Sequence, residues 1–364
     1  MQTDTPVSAG GRYREWTSLL LIAILCFSFI VYLFLYSDTS DSMKTFNLFK
    51  NVQGHPLFVQ LSGQSTFSQW KESVRELRKN STMPLLTLFT SWLDTEDKYA
   101  VHNITSVNWL SLRPFVVPIV FTNEAAVEKV YTRAGWLVLP VRVSAADGVP
   151  VLKYMYLDAK KKIESDFYTY ANSDILFTDS LVDTLIEILK YNSASHNSAE
   201  DNSTLQHHTL IIGRRTNVYN VNMAEGSSWS EVTNVARKKG ELFRSDAEDY
   251  FITSSSYPWN DIPEVVIGRR AYDNWLVLNA RKQKHKVIDA TDTILAVHQT
   301  TKDGNYEGMK RKTKEHNHNL LVTLYKNIQY GLGATECAEY QTIRNTGNIS
   351  IIFRRNLATY CRLG

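Results

Sequence analysis

The chain has 364 residues, with 40 Lys and Arg against 37 Asp and Glu, and 43% of it is hydrophobic. That balance gives no basic field for nucleic acid, which argues against such a partner, and it supplies ample apolar material for a sizeable core. From Thr17 to Tyr36 neither a charge nor a proline interrupts the sequence. At about 1.5 Å per residue such a stretch makes a helix of roughly 30 Å, one bilayer core. Trp16, Tyr32 and Tyr36 sit at or near its ends, Arg12 and Arg14 precede it, and Asp38 and Asp41 follow it. This is the distribution of a span with a cytosolic N-terminus. A cleaved signal peptide is the alternative, but its apolar core of about 7 to 15 residues would end in a small-residue cleavage site, which this stretch lacks. The reading is a cytosolic tail over 1–16, a transmembrane signal anchor over 17–36, a polar stem over 37–66 and a lumenal domain over 67–364.

Everything after the span would then face the secretory lumen or the outside. Asn-x-Ser/Thr acceptors at Asn80, Asn103, Asn202 and Asn348 agree with that side. Cys26 falls inside the span, while Cys337 and Cys361 flank a C-terminal segment and are expected to pair in an oxidising compartment. Closing that loop would stabilise by roughly 3 to 4 kcal/mol in the chain-entropy model. Two unpaired buried thiols are the alternative.

Phe67, Trp70, Val74 and Leu77 recur at helical spacing with charges between them, and they open the domain. Leu85 to Phe89 reads as a buried strand, with Phe89 and Thr90 at its carboxyl end. Ile119 to Phe121 reads as a second strand starting after Pro118, since proline cannot donate in a central ladder, and Asn123 is set to cap a helix over Glu124 to Tyr131. Leu137 to Val143 makes a third strand. Pro150 stands at the first turn of a helix carrying Val151, Leu152, Met155, Ala159 and Ile163 on one face. The apolar run Phe167 to Phe177, holding Asn172-Ser173-Asp174, precedes a helix through Leu181, Leu185, Ile186 and Leu189; Tyr191 to His207 is loop-like, and Thr209 to Ile212 returns as a strand. Strands alternating with helices predict an α/β domain with a mainly parallel central sheet and helices on both faces. Ligands of such sheets sit beyond the carboxyl ends of the strands, where Asn172 and Asp174 would stand.

Carboxylates and a histidine at the ends of buried runs are the residue types that hold a divalent cation and move a proton. Asp174 is the first ligand candidate, although an Asp that merely caps a turn reads the same. Val265-Val266-Ile267-Gly268 looks like a strand ended by glycine, and Asp273 falls in the first turn of the next helix. It is either a base aimed at the pocket or a carboxylate favouring the helix dipole. His298 closes the run Leu295-Ala296-Val297, as a second metal ligand or as a satisfied structural histidine. Gly213-Arg214-Arg215-Thr216-Asn217 follows a strand end, and one of its arginines, Arg214 the first candidate, is set to reach a diphosphate or an acceptor, or belongs to a solvated basic turn.

The ordered set of Asn172-Ser173-Asp174-Ile175, Ile267-Gly268-Arg269 followed by Tyr272-Asp273-Asn274-Trp275, and the late Val297-His298-Gln299 resembles the GT-A superfamily of nucleotide-sugar glycosyltransferases, over about residues 80 to 300. The resemblance implies a Rossmann-related fold, a nucleotide-sugar donor with UDP the expected nucleotide, and a hydroxyl acceptor on a glycan, glycoprotein or glycolipid. It implies a metal, manganese by the imidazole in the donor set, on Asp174 and His298, with Gly268 against the donor sugar, Phe89 and Thr90 at the end of the first strand against the nucleotide, and Asp273 as base with inversion. Many members have a first Asp where this chain has Asn172, whose amide oxygen is left to ligate or to accept a ribose hydroxyl. The anchor and the resemblance together point to the Golgi membrane, with the endoplasmic reticulum or cell surface as alternatives, and leave a homodimer open. A non-catalytic GT-A-like scaffold that binds glycans or partners is the rival reading, and Asn172 is its best support.

Overall fold

The computed structural model describes residues 64–77, 83–92, 95–197, 208–302 and 310–363. The predicted span, nearly all of the stem, and the acceptors Asn80 and Asn202 lie outside them. Among the described residues no helix is long and apolar enough to cross a membrane.

The main sheet has nine strands in the order β15 (Asn348–Phe353), β14 (Tyr340–Asn345), β12 (Lys286–Asp289), β8 (Thr209–Ile212), β11 (Tyr250–Ser254), β6 (Phe167–Ala171), β1 (Leu86–Ser91), β2 (Val116–Phe121) and β3 (Leu137–Leu139). It is a mixed α/β sheet. Only β11, antiparallel to both β6 and β8, and β15, antiparallel to β14, run against the rest. Side chains alternate between its two faces, as the pleat requires. Leu86, Leu88, Val116, Phe167 and Ile252 enter one core, together with α1 (Gln64–Leu77), α2 (Tyr99–Leu110), α3 (Ala125–Ala134) and α5 (Ser180–Asn197). Phe89, Ile119, Tyr168, Tyr170 and Phe251 enter the other, under α4 (Leu152–Lys162), α8 (Tyr272–Lys282) and α9 (His316–Tyr325).

A second sheet of four strands, β10 (Glu241–Leu242), β9 (Thr216–Tyr219), β13 (Ala296–Thr300) and β7 (Ile175–Phe177), packs Val218, Val297 and Leu176 against α7 (Trp229–Lys239), which follows the one-turn α6 (Met223–Gly226). A two-residue pair, β4 (Ser144–Ala145) with β5 (Val149–Pro150), precedes α4. β7 follows β6 after three residues, so the chain leaves the large sheet and enters the small one at Asn172-Ser173-Asp174. That step sets the position of the candidate site.

Several local expectations are corrected. β2 begins at Val116 and runs through Pro118. The Thr122 N–H reaches Leu139 O on the β3 side, and two-residue alternation puts the Pro118 nitrogen on that same side, before β3 begins at Leu137. Its missing donor therefore breaks no ladder. Asn123 caps nothing: its side chain bonds both ways to the Val141 backbone, Nδ2 donating to O at 3.0 Å and Oδ1 accepting from N at 2.9 Å. β3 consequently ends at Leu139, and the chain to Val141 is held by a side chain. Pro150 belongs to β5, with α4 starting at Leu152. Val265 to Ile267 forms no strand, only a bridge from Val266 to Val151.

Cys337 and Cys361 form a disulfide closing the C-terminal segment. Asn103 lies half-buried on α2 and its sequon partner Thr105 is buried, donating to Ser173 O at 2.7 Å, whereas Asn348 is exposed at the head of β15.

Candidate functional site

Four pieces of chain meet at the carboxyl edge of the parallel strands. β6 delivers Asn172 and Asp174, β8 delivers Arg214 and Arg215, the start of β11 delivers Asp249, and β13 brings His298 from the small sheet. The register places His298 opposite Ile175 on one side and Asn217 on the other. Asp174 Oδ2 and His298 Nε2 are accordingly 3.2 Å apart. His298 is buried, and its Nδ1 faces Thr300 Oγ1 at 2.8 Å, which orients the ring and leaves Nε2 toward the carboxylate. Burial alone would raise the Asp174 carboxyl, but the His298 charge and hydrogen bond, with Arg215 behind, bring it down to about 2. Its other oxygen, Oδ1, is enclosed and has no hydrogen-bond partner.

Asn172 is held from both sides. Its Nδ2 donates to Asp249 Oδ1 at 2.6 Å, and its Oδ1 accepts from Tyr170 Oη at 3.0 Å. Both ends of the Asn172 amide are thus spent within the protein. Asp249 in turn takes the Arg215 guanidinium, whose Nε donates to Asn217 Oδ1 at 3.0 Å. Both charges are buried. An isolated buried carboxylate is costly, so Arg215→Ala, which strands Asp249, is expected to lower stability by about 3 to 5 kcal/mol, read from the denaturant midpoint at constant slope.

The helix that carries Asp273 packs on the same side of the sheet as Tyr170, with Tyr272, the residue before Asp273, buried in the same core. Asp273 lies in the first turn of α8, behind Gly268 at φ +61 and Ala271 at φ +84, two left-handed positions that turn the chain into the helix. Burial raises the Asp273 carboxyl to about 7; the Asn274 backbone opposes this, and the charges of Asp249 and Asp246 add to it. Its Oδ1 is enclosed without a partner. Beside it Glu248 is buried, pushed well above the carboxylate range by burial and then by Asp273, and its Oε2 accepts from Asn274 Nδ2 at 3.1 Å.

Of the predicted residues, Asp174 and His298 are in contact, and Asp273 is linked to the cluster by the charge of Asp249 acting on its carboxyl. Gly268 is exposed, and a side chain added there would meet nothing within 4 Å. Phe89 is fully buried, edge-to-face on Tyr156 at 4.7 Å, and is core packing. Arg214 is half-buried with Nε on Phe243 O at 2.5 Å; Arg215 is the arginine inside the network. The sequence reading does not single out Tyr170 or Glu248. Tyr170 and Asn172 are two residues apart and share a face, a signal the sequence did contain.

The donor chemistry fits a hard divalent cation. A carboxylate and an imidazole converge, the imidazole is oriented through its other nitrogen, and one enclosed carboxylate oxygen lacks a partner. No group of three or more His, Cys, Asp or Glu suited to a metal occurs among the described residues, so phosphate oxygens and water would supply the remaining positions. A groove of about 460 Å³ between α1 and the Arg113–Phe115 turn contains none of these residues.

No family model and no curated protein matches the chain. Among solved structures it is similar to the inositol-1-phosphate CTP transferase from T. maritima, at 16% identity over 64% of this chain and 97% of that one, with a TM-score of 0.32. It is similar to glucosyl-3-phosphoglycerate synthase from Mycobacterium tuberculosis in complex with Mg2+ and UDP, at 10% identity over 77% and 91%, TM-score 0.36. CMP:2-keto-3-deoxy-manno-octonic acid synthetase complexed with CTP matches at 11% identity over 66% and 99%, TM-score 0.28. Likeness at this distance assigns neither family nor activity.

Proposed function

We propose that the chain is a GT-A-like glycosyltransferase that moves a sugar from a nucleotide-diphosphate donor to a hydroxyl on a glycan, glycoprotein or glycolipid, with inversion. The observation that carries this reading is the Asp174–His298 pair, 3.2 Å apart at the carboxyl edge of the sheet, with an unpartnered Asp174 oxygen beside it. A cation on those two residues, manganese by the mixed oxygen and imidazole donor set, would neutralise the leaving diphosphate. Asp273, raised to about 7, takes the acceptor proton as the acceptor oxygen bonds to the anomeric carbon and the bond to the diphosphate breaks. The buried Arg215–Asp249 pair holds Asn172 and hence the turn that presents Asp174.

The Cys337–Cys361 disulfide supports an oxidising compartment, in line with a type II anchor over 17–36 and residence in the Golgi membrane. The test is to incubate the full chain in detergent with UDP- and GDP-sugars, with and without manganese. Manganese-dependent hydrolysis of at least one donor, lost in His298→Ala, is the expected result. Donor binding without hydrolysis across the panel would replace this reading with the non-catalytic scaffold.

A further inference from the structure

The C-terminal segment bears on the helix that carries Asp273 at two points. Gly333, in the short 3-10 turn Tyr330–Gly333, lies directly on the Asn274 backbone: a Cβ added there would stand 1.8 Å from Asn274 O and 2.9 Å from its Cα. Only hydrogen fits. At the other end of the same helix Arg281 is 4% exposed and spends its guanidinium on that segment. Nη1 donates to Leu332 O at 2.6 Å, Nη2 to Cys361 O at 2.7 Å and Nε to Glu339 Oε1 at 2.8 Å.

The Cys337–Cys361 disulfide ties the residue whose carbonyl takes Nη2 to the chain between Leu332 and Glu339, which hold the other two acceptors. The segment is itself tied to the sheet: Arg354 donates to Thr335 O and Ala338 O, each at 3.2 Å, and to Asp289 Oδ2 at 2.7 Å. Thr335 N–H reaches Ser245 O at 2.8 Å, just before Asp246 and Glu248. Asn274 is thus pinned from two sides, its backbone under Gly333 and its side chain on Glu248. An arginine buried with three separate acceptors is a rigid tie rather than a surface contact, since each lost bond would leave an unsatisfied group inside.

We infer that the C-terminal segment from Tyr330 onward, braced by its disulfide, is the seat of Asp273, with Gly333 and Arg281 as positioning residues that hold the first turn of its helix at the site. The inference rests on the proposed transferase reading for the role of Asp273, but its mechanical content does not. Misplacing a reacting group by about 1 Å is enough to cost on the order of 10²-fold in rate.

Two variants of the full chain test it, Cys337→Ala/Cys361→Ala and Gly333→Ala, each read by donor turnover and by amide hydrogen exchange. The expected result is a fall in kcat of at least tenfold with donor KM unchanged, a displaced acidic limb of the pH–rate profile, and lost protection over 272–282 while 296–300 keeps its protection. Folded variants with wild-type kcat, limb and exchange would overturn the inference. If the cysteine variant does not fold, Gly333→Ala decides alone. If the wild-type chain turns over no donor, the transferase reading fails, and unchanged exchange over 272–282 in a folded variant still overturns the mechanical claim separately.

Discussion

Asp174→Asn is expected to lower donor turnover by about 10²-fold or more while leaving the domain folded. The substitution keeps the shape and removes the charge that would hold, beside His298, the cation that neutralises the diphosphate, an electrostatic contribution that typically amounts to several kcal/mol in a shielded site. A second readout separates this from misfolding. The folded Asp174 carboxyl sits at about 2, below its ordinary 3.8, because His298 and Arg215 outweigh the cost of burial. A carboxyl depressed on folding contributes stability that is present above 3.8 and is lost as pH falls through about 2. Without added metal, the wild type should therefore exceed Asp174→Asn by at most roughly 2 kcal/mol at neutral pH, and the gap should begin to shrink near pH 3.8 and close as pH falls through about 2. Wild-type turnover in Asp174→Asn would remove the metal-assisted mechanism.

Much of the architecture was readable because the buried strands are short apolar runs bounded by turn residues, and α1 and α5 show a helical period. Asp174 and His298 stood out for the same reason, each being a polar residue at the end of such a run. What could not be read was anything decided by tertiary register. Asn123 looks like a cap by type and place, yet the Val141 backbone passes close enough to take both ends of its amide. Arg214 and Arg215 are adjacent, and only the strand's alternation and the position of Asp249, 34 residues on, decide which one is drawn inside. Asn172 reads as a weakened metal ligand until Tyr170 and Asp249 are seen to hold it. The bearing of Gly333 on Asn274 joins segments nearly sixty residues apart, and no local pattern announces it.

Asp273→Asn is expected to reduce kcat by about 10² to 10⁴-fold, the range for losing a positioned general base, with donor KM little changed because Asp174 and His298 are untouched. In the wild type the base must be ionised to work, so kcat should rise with pH through a limb near 7, where burial and the charges of Asp249 and Asp246 have raised this carboxyl. The same shift has a cost in stability. The unfolded chain releases the proton near 3.8 and the folded chain keeps it to about 7, so between those values the native state holds the extra proton and stability falls as pH rises, levelling off above 7. Asp273→Asn removes that cost. It should unfold at a higher temperature than the wild type at pH 8, by an amount corresponding to at most a few kcal/mol, with the difference shrinking toward pH 4. A variant that is inactive and more stable at pH 8 is what an acid retained for chemistry produces. An acid that served only the helix dipole would give the opposite, a variant that turns over normally and is less stable at every pH above 4.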